Sequence, residues 1–383
     1  MARGSWARRS LSVISGPLGA LALLLIPATA QADSAAGQLT WSVLSPALSP
    51  PPLQYAAAAY DADNSTVVVF GGAMPNGQLS SDTWVWNGSS WSRLASVPPA
   101  REMASMAFDS SLHQLIMFGG MAADGTILGD TWAWNGASWV KSHPTQSPPA
   151  RYGAALSFDP AGNLVLFGGT GAPAAGGGTP STGGGAAAGA GTSTTTATTA
   201  TSAATGANGS PGASTTSTTS TTSTTAAAPS NGGSVLADTW SWNGTNWLQD
   251  SANAAPPARS GAAMTYQGTD NETVLFGGVS ATGTLLGDTW VWTGSGWVAQ
   301  SPSASPPARE NEILKADSAV GGTVLFSGSG EGGVLSDTWV WTGATWVQAP
   351  VTDPPGPREG AVGAYDAAAR QLLVYGGSGP AGS

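Results

Sequence analysis

The stretch Asp82-Thr-Trp-Val-Trp-Asn-Gly-Ser-Ser-Trp91 returns four more times along this chain of 383 residues. The other copies keep the pattern Asp-Thr-Trp-x-Trp-x-Gly-x-x-Trp and occupy residues 130–139, 238–247, 288–297 and 337–346. Fifteen of the seventeen tryptophans lie in the five copies, and the remaining two are Trp6 and Trp41. Tryptophan restricted to fixed places in a repeat indicates a repeated structural unit, and a period of this length is typical of solenoids and propellers.

The final tryptophan of each copy sets the length of the unit. From Trp41 to Trp346 the spacings are 50, 48, 108, 50 and 49 residues, so the long interval contains an insertion.

Each unit holds four strand-like segments. The first follows a Pro-Pro-Ala-Arg turn and is rich in alanine, the second is apolar and ends in Gly-Gly, the third is Thr-Trp-x-Trp, and the fourth begins at the last tryptophan. Asn-Gly or Thr-Gly between the third and fourth segments is a hairpin signal. Four short strands per unit, with no helical periodicity, predict the blade of a β-propeller.

The residue sizes suit particular places in such a blade. Inner strands converge on the axis and leave room only for small side chains, which fits the alanine-rich first segment. Alternation along Thr83–Trp86 puts both rings on one face of the sheet, and we expect these rings to fill the space between blades. The repeated Gly-Gly is expected to supply positive φ or close backbone approach. We assign the structural role to the following tryptophans: Trp84, Trp91, Trp132, Trp139, Trp240, Trp247, Trp290, Trp297, Trp339 and Trp346.

The two ends of the repeat region complement each other. Residues 40–43 read as a fourth strand with no blade before it, and residues 358–377 supply a first and a second strand with no Asp-Thr-Trp segment after them. Joining the two ends closes a ring. The sequence therefore predicts an all-β, six-bladed propeller over residues 39–377, with the last blade closed by the N-terminal strand and incomplete.

The apolar strand that ends in Gly-Gly, followed by tryptophan 19–20 residues later, resembles the Kelch repeat. That family includes the central domain of galactose oxidase and bacterial secreted homologues, and the resemblance covers residues 39–377 apart from the insertion. It implies a Kelch-type propeller, a fold that hosts both binding modules and enzymes. The oxidase copper site implies histidine and tyrosine ligands and a Cys–Tyr crosslink. This chain has no cysteine and only two histidines, His113 and His143, so we expect no copper chemistry, no metal and no cofactor.

The N-terminal residues 1–30 read as a secretory signal peptide. Arg3, Arg8 and Arg9 precede an apolar run, and Ala28-Thr-Ala30 fits the rule for a cleavage site, which puts the mature start near Gln31. We expect a secreted, extracellular protein with no membrane attachment after cleavage. The alternative is an anchor made by an uncleaved signal segment. Residues 31–38 are assigned to a short linker.

Residues 170–233 interrupt the third unit with Gly, Ala, Ser, Thr and Pro. Such a segment cannot bury enough apolar surface to order itself, so we predict a disordered insertion and a candidate for O-glycosylation. Loop-closure entropy grows slowly with length, so one blade can carry it. Residues 378–383 are assigned to a flexible C-terminus.

Charge and cysteine content exclude several functions. Only 9% of residues are charged and the net charge is −10, or −13 once the three leader arginines are removed. Binding of nucleic acid is not expected, because phosphate recognition needs clustered cations. The absence of cysteine excludes disulfides, Cys-ligated zinc, a cysteine nucleophile and a lipoprotein anchor. We expect a monomer.

Two charged residue types recur with the repeat. Strand parity places the repeated arginines before the first strands, and the aspartates before the third, on one face of the ring. One interpretation is that they pair and brace neighbouring blades through bidentate bonds. The other is that some arginines line a central pocket and bind an acidic or hydroxylated ligand. Leu53 takes the arginine position in the first unit. The two sets are Arg101, Arg151, Arg259, Arg309 and Arg358, and Asp82, Asp130, Asp238, Asp288 and Asp337.

The residue after each arginine varies, and a varied position on a repeated frame is where a propeller would encode its partner. These residues are Glu102, Tyr152, Ser260, Glu310 and Glu359. The leading hypothesis is a non-catalytic scaffold that binds an extracellular protein or polysaccharide on this face. The alternatives are a carbohydrate-active enzyme that uses loop glutamates, if these converge within about 5–10 Å, and a structural envelope protein. Asp61-Ala-Asp-Asn64 suggests calcium less strongly than an ordinary Asx turn.

Overall fold

A computed structural model describes residues 14–16, 19–25, 39–94, 97–172, 233–251, 254–352 and 354–380. All of them belong to one compact unit, and their regular secondary structure is entirely β. No helix within these ranges is long and apolar enough to cross a membrane. Most of the predicted leader, the linker 31–38, the bulk of the insertion at 173–232, and residues 381–383 lie outside the described residues.

The strands follow one another in regular groups. The N-terminal strands are β1 (Ile14–Gly16), β2 (Gly19–Leu25) and β3 (Leu39–Val43). The first sheet consists of β4 (Ala57–Asp61), β5 (Thr66–Phe70), β6 (Thr83–Trp86) and β7 (Trp91–Leu94). The second sheet consists of β8 (Ser105–Asp109), β9 (Gln114–Phe118), β10 (Thr131–Trp134) and β11 (Trp139–Ser142).

The third and fourth groups include the insertion. They contain β12 (Arg151–Tyr152), β13 (Ala155–Phe158), β14 (Leu164–Phe167), β15 (Thr170–Gly171), β16 (Ser234–Val235), β17 (Thr239–Trp242), β18 (Trp247–Asp250), β19 (Ala263–Gln267), β20 (Glu272–Phe276), β21 (Thr289–Trp292) and β22 (Trp297–Ala299). The third sheet is β13-β14-β17-β18 and the fourth is β19-β20-β21-β22, while β12, β15 and β16 form a small separate sheet.

The last groups reach the C-terminus. They contain β23 (Arg309–Glu310), β24 (Ile313–Asp317), β25 (Gly322–Phe326), β26 (Ser329–Gly330), β27 (Gly333–Val334), β28 (Thr338–Trp341), β29 (Trp346–Gln348), β30 (Val351–Thr352), β31 (Glu359–Asp366) and β32 (Gln371–Ser378). The fifth sheet is β24-β25-β28-β29, and β23, β26 and β27 form a second small sheet. The sixth sheet has the order β30-β3-β2-β32-β31, with β1 paired to β2.

The third and fourth strands of each four-stranded sheet form the predicted hairpin. In the first sheet Trp86 pairs with Trp91 across the turn. The Asn87 N–H donates to the Ser90 carbonyl at 3.2 Å. Gly88 has a φ of 90°, a conformation that residues with a β-carbon rarely adopt. The Asn-Gly and Thr-Gly dipeptides therefore fix the register that brings the tryptophans together.

Tryptophan rings fill the space between consecutive sheets, as the repeat predicts. Trp132 and Trp139 of the second sheet pack with Val68 and Phe70 of the first. The Trp139 indole Nε1 also donates to the hydroxyl of Thr83 in the first sheet at 2.9 Å. The same contact between consecutive sheets recurs at 2.8–3.0 Å as Trp247–Thr131, Trp297–Thr239 and Trp346–Thr289.

The sheets pack on one another in chain order. Each apolar core joins the strands of two consecutive sheets, and the sixth sheet shares one core with the fifth and another with the first. Backbone bonds repeat this order, because the second residue of each Gly-Gly pair (Ser-Gly in the fifth sheet) donates its N–H to the carbonyl at the arginine position of the next sheet. These bonds span 2.8–3.2 Å and join Gly72–Arg101, Gly120–Arg151, Gly169–Arg259, Gly278–Arg309, Gly328–Arg358 and Gly377–Leu53. The architecture is all-β and propeller-like.

The sixth sheet combines both ends of the chain. Leu39–Val43 is a strand, as predicted, and it lies in the same sheet as Glu359–Asp366 and Gln371–Ser378. Between β3 and β32 lies Gly19–Leu25, which pairs antiparallel with both. This segment belongs to the predicted leader, and the sequence did not predict a strand there.

The ends of the insertion are ordered and meet each other. Thr170–Gly171 pairs with Ser234–Val235 on one side and with Arg151–Tyr152 on the other. The regular structure therefore extends slightly into the segment 170–233 that was predicted to be disordered. These short strands bring the two ends of the long connection side by side, so the third sheet keeps the same strand order as its neighbours.

Candidate functional site

The first strands of all six sheets line a central cavity of about 190 Å³. Its wall is mostly backbone and alanine, as the alanine-rich first segments predict. Near one end, six equivalent residues line the cavity, and each has a positive φ of 54–67°. They are Tyr55, Met103, Gly153, Gly261, Asn311 and Gly360.

Backbone hydrogen bonds connect these six residues in order. The Met103 N–H donates to the Tyr55 carbonyl at 2.8 Å, and the Gly153 N–H donates to the Met103 carbonyl at 2.9 Å. The series continues through Gly261 and Asn311, and the Tyr55 N–H donates to the Gly360 carbonyl at 2.7 Å. The left-handed conformation costs little at glycine but strains Tyr55 and Met103. The cavity rim is therefore a rigid backbone frame that can carry different side chains.

The repeated arginines and aspartates lie on one face and pair within their own sheets. The Arg101 Nη1 and Nη2 atoms lie 2.6 and 3.0 Å from the two carboxylate oxygens of Asp130. The same guanidinium also donates to the carbonyls of Pro99 and Gly119, and the Arg101 side chain is 0% exposed. Because the carbonyl of Arg101 accepts from Gly72, the residue links two sheets. The pattern repeats in Arg151–Asp238, Arg259–Asp288 and Arg309–Asp337.

These pairs determine whether the guanidinium groups of the four arginines are available to a ligand. Each guanidinium is buried and already bonded to a carboxylate and to carbonyls, so none presents its N–H groups to the cavity. Burial alone would raise the pKa of Asp130, but hydrogen bonds from Arg101 and Trp132 hold it below its usual value. The predicted pairing of arginine with aspartate is present, but each bidentate pair lies within one sheet and does not brace neighbouring blades. The contact between sheets is made by the backbone carbonyl at the arginine position.

Two sheets depart from the arginine pattern. In the first sheet Leu53 is buried, and Asp82 lies 2.9 Å from Arg93. In the sixth sheet the Arg358 guanidinium donates to the carbonyls of Gly356 and Gly376, and burial lowers its pKa. The irregular sectors adjoin, because the sixth sheet packs on the first.

Glutamates from the varied position gather at the cavity rim around Tyr55. Burial raises the pKa of the Tyr55 phenol above its usual value, and Glu359, Glu310 and Glu102 raise it further in that order. Burial also raises the pKa of Glu102, and burial with repulsion from Glu359 raises that of Glu310. A β-carbon on Gly261 would lie 3.2 Å from Glu310 Oε2, so this carboxylate reaches the rim itself. The three predicted glutamates therefore lie near Tyr55, and we call them the acidic cluster; among them, Glu359 also acts on Glu310.

The other two varied residues do not extend this cluster. Tyr152 is buried in the small sheet formed with Thr170. Ser260 is also buried, and its hydroxyl would lie 2.6 Å from a β-carbon on Gly153 of the preceding sheet. Both positions thus serve contacts within the protein, and the acidic side of the rim belongs to the second, fifth and sixth sheets.

Glu312 lies inside the cavity wall and was not singled out from the sequence. Its Oε1 accepts from the Ala263 N–H at 3.3 Å, whereas its buried Oε2 has no partner. Burial raises the pKa of Glu312 to about 8. The five equivalent residues are alanines: Ala56, Ala104, Ala154, Ala262 and Ala361. The sequence signal that could have identified Glu312 is a glutamate at a repeat position that is otherwise alanine.

Lys315 lies on β24, the strand that follows Glu312, and lines two cavities. One is the central cavity, and the other, of about 200 Å³, is also lined by the aromatic residues Tyr60, Phe108 and Tyr266. Burial lowers the pKa of Lys315 to about 8. Lys315 is the one cation among the described residues that line either cavity, so the fifth sheet places a base and an acid in the wall that the other sheets build from small side chains.

The histidines and the acidic turn have local roles. His113 Nδ1 lies 3.0 Å from an Asp63 oxygen in an exposed loop, and His143 is exposed in a different connection. The Asn64 N–H donates to Asp61 Oδ1 at 3.3 Å, which is the expected Asx turn. Across the described ranges, no group of three or more His, Cys, Asp or Glu side chains is placed to hold a metal ion.

The fold and the site define the class to which this chain is assigned: an all-β, propeller-like protein with an acidic rim around a central cavity. No protein-family model matches the chain, and no curated protein matches it at a significant level.

Proposed function

We propose that the six sheets form a closed, six-bladed propeller of the Kelch type. The support is threefold: the repeat pattern, the six inter-sheet cores, and the bond from the Gly377 N–H to the Leu53 carbonyl at 2.9 Å, which links the sixth sheet to the first. In this proposal the N-terminal strand Leu39–Val43 closes the last blade.

We further propose that the protein is a secreted, non-catalytic scaffold that binds an extracellular partner at the cavity rim. The observation that carries this is the cluster of Glu102, Glu310 and Glu359 around Tyr55, at the mouth of a preformed cavity. The rim frame is rigid, so the cluster is organised before any ligand arrives, which reduces the entropy lost on binding.

The negative charge of the rim favours a partner with a positively charged group. Three half-buried carboxylates favour a cationic group, because each carboxylate then regains the solvation that burial removes. An extracellular protein that presents a lysine or arginine side chain fits best, and a polysaccharide with free amino groups is the second choice. Binding should weaken as ionic strength rises.

The test compares the wild-type protein with the triple variant E102Q/E310Q/E359Q. Both are immobilised and offered a secreted-protein fraction, a panel of lysine-rich and acidic peptides, and arrayed polysaccharides. We expect cationic ligands to bind the wild type at least tenfold more tightly than the triple variant. The matched control D124N/E331Q removes exposed acids from other loops and should bind as the wild type does. Equal binding by wild type and triple variant would reject the proposed site.

One observation supports a carbohydrate-active enzyme as the second candidate. The pKa of Glu310 is raised by burial and by neighbouring Glu359, and two carboxyl groups in different environments are the requirement for acid–base hydrolysis of a glycosidic bond. Polysaccharide and aryl-glycoside hydrolysis by the wild type, lost by more than about a hundredfold in E310Q but not in D124N/E331Q, would favour the enzyme over the scaffold.

A further inference from the structure

The N-terminal strand Gly19–Leu25 occupies the place in the sixth sheet that Thr-Trp-x-Trp strands hold in the other five. The register is the same. Leu21 pairs with Tyr375, as Thr83 pairs with Phe70 in the first sheet. A strand from a segment with an unrelated sequence thus stands where the fold requires a third strand.

The same register identifies what this strand lacks. Leu24 pairs with Trp41, as Trp86 pairs with Trp91 in the first sheet. Ala22 and Leu24 therefore stand at the register positions of the two tryptophans in the other third strands. Their backbones complete the ladder, but the sequence at these positions supplies smaller residues than the repeat does.

The indole N–H groups next to the sixth sheet also lack the threonine acceptors that the repeat supplies elsewhere. Among the described side chains, four indole-to-threonine contacts join consecutive sheets, and the two that would involve the sixth sheet are not seen. Trp91 Nε1 is buried with no partner, and its threonine would have to come from the position of Leu21. Trp41 Nε1 and Thr338 Oγ1, which the pattern would join, are likewise buried and unpartnered.

We propose that the space between β3 and β32 is a strand-acceptor site for an extended segment of a partner polypeptide. The segment carries threonine or serine at the register position of Leu21 and large aromatic residues one and three positions later. The ladders of β3 and β32 supply backbone hydrogen bonds on both sides, and alternate side chains give specificity. In the full chain Gly19–Leu25 fills the site, and removal of the leader expected from the sequence opens it.

The first test uses the full chain and a matched pair of variants. Leu21→Thr places a hydroxyl where the other sheets have one for the indole of the next sheet, whereas Leu23→Thr makes the same change at the intervening position. We expect L21T to unfold about 2–4 °C above L23T. Its Trp91 indole proton should show slower hydrogen exchange than in L23T. Equal melting temperatures and equal exchange rates would overturn the assignment of this register.

The second test uses a synthetic peptide with the sequence of residues 337–343 and the form of the protein that begins at Gln31. We expect saturable binding to this form, at least tenfold weaker binding to the full chain, and about fivefold weaker binding when the first of the peptide's two threonines, Thr338, is replaced by valine. Equal binding of both peptides, or equal binding to both forms, would contradict the proposal. If the shorter form does not fold, the full-chain comparison of L21T and L23T still tests the register on which the acceptor site depends, and equal values for the two variants would overturn the proposal.

The strand-acceptor proposal and the proposed function are tested by different variants, so one can be rejected without the other. The triple glutamine substitution leaves the ladders of β3 and β32 unchanged, so the form that begins at Gln31 should still bind the peptide normally when it carries this substitution. Conversely, L21T leaves the rim carboxylates unchanged and should bind cationic ligands as the wild type does.

Discussion

At the scale of single residues, the unusual chemistry of this protein comes from polar groups whose surroundings differ between repeats. Trp139 and Trp91 hold equivalent places, yet one indole bonds to Thr83 and the other has no partner. Glu312 is ionisable where every equivalent residue is alanine. The equivalent residue in another repeat serves as a reference. The effect of each difference can therefore be measured by making the same substitution in both repeats.

The two tryptophans give the first prediction. Trp139→Phe removes the indole donor and leaves the Thr83 hydroxyl buried and unpaired, whereas Trp91→Phe removes a donor that has no acceptor. The loss of ring volume is the same in both variants. We expect W139F to lose about 1–2 kcal/mol more stability than W91F, as measured by equilibrium unfolding in urea. Equal losses would show that the indole–hydroxyl contacts do not stabilise the sheets.

The second prediction concerns Glu312 and pH. Its pKa is about 8 in the folded protein, mainly because of burial, and about 4.3 when unfolded. A pKa that folding raises gives stability that is complete below about pH 4.3 and is lost as pH rises towards 8. The wild type should therefore lose on the order of a few kcal/mol between pH 5 and 8. Glu312→Ala should lose clearly less, because only weaker contributions such as those of Glu102 and Glu310 remain. Lys315 does not confuse the comparison, because its pKa of about 8 changes stability above that pH.

At the scale of the element, the Gly-Gly pair is what lets consecutive sheets approach. Gly278 has a φ of 94°, and a β-carbon there would lie 2.9 Å from the Ser260 carbonyl oxygen. Its own N–H donates to the Arg309 carbonyl of the next sheet at 2.8 Å. Conformation and space restrict this position to glycine, and the N–H hydrogen bond holds the next sheet against it.

The third prediction separates space from conformation. Gly283 has a φ of 78°, but a β-carbon there would meet nothing within 4 Å. Gly283→Ala therefore tests backbone strain alone, and Gly278→Ala adds the steric conflict. We expect G278A to cost roughly 1–3 kcal/mol more than G283A. Thermal unfolding of both variants measures the difference. Similar losses of stability would mean that the sheets can move apart at Gly278 to accept a β-carbon without losing stability.

At the scale of the whole molecule, four arginine–aspartate pairs make acid the main threat to stability. Burial raises the pKa values of Asp130, Asp238 and Asp337, but hydrogen bonds from arginine and tryptophan outweigh it, and the net shift is downward. Asp288 follows the same pattern, with a more exposed carboxylate at 37%. The same charge arrangement therefore acts in four sheets at once.

The fourth prediction follows from that shift. A pKa that folding lowers gives stability that is complete above the unfolded value of about 3.9 and is lost as pH falls below it. We expect the melting temperature to fall steeply below pH 4, and the slope to decrease in Asp337→Asn. At pH 6 the same variant should be about 2–4 kcal/mol less stable than the wild type, because Arg309 keeps a buried charge without its partner. A control substitution, Asp124→Asn in an exposed loop, should leave stability at pH 6 unchanged.

The sequence by itself determined the sheets, because their signals are local and repeated. Thr-Trp-x-Trp alternation, the Asn-Gly turn and Gly-Gly after an apolar run are all read within one unit, and the structure contains a four-stranded sheet at each of the five copies. The tryptophan cores and the pairing of arginine with aspartate were also predictable, since the same few residues must satisfy every repeat.

Only the tertiary structure decided which residues acquire unusual chemistry. Glu312 and Lys315 look like ordinary charged residues in the sequence, and their pKa values shift only because six first strands converge and exclude water. The gathering of glutamates at Tyr55 depends on the same convergence of distant segments. Likewise, a leader-like apolar segment became a strand because the sixth sheet leaves unpaired edges on β3 and β32, and an exposed ladder accepts any extended backbone of suitable register.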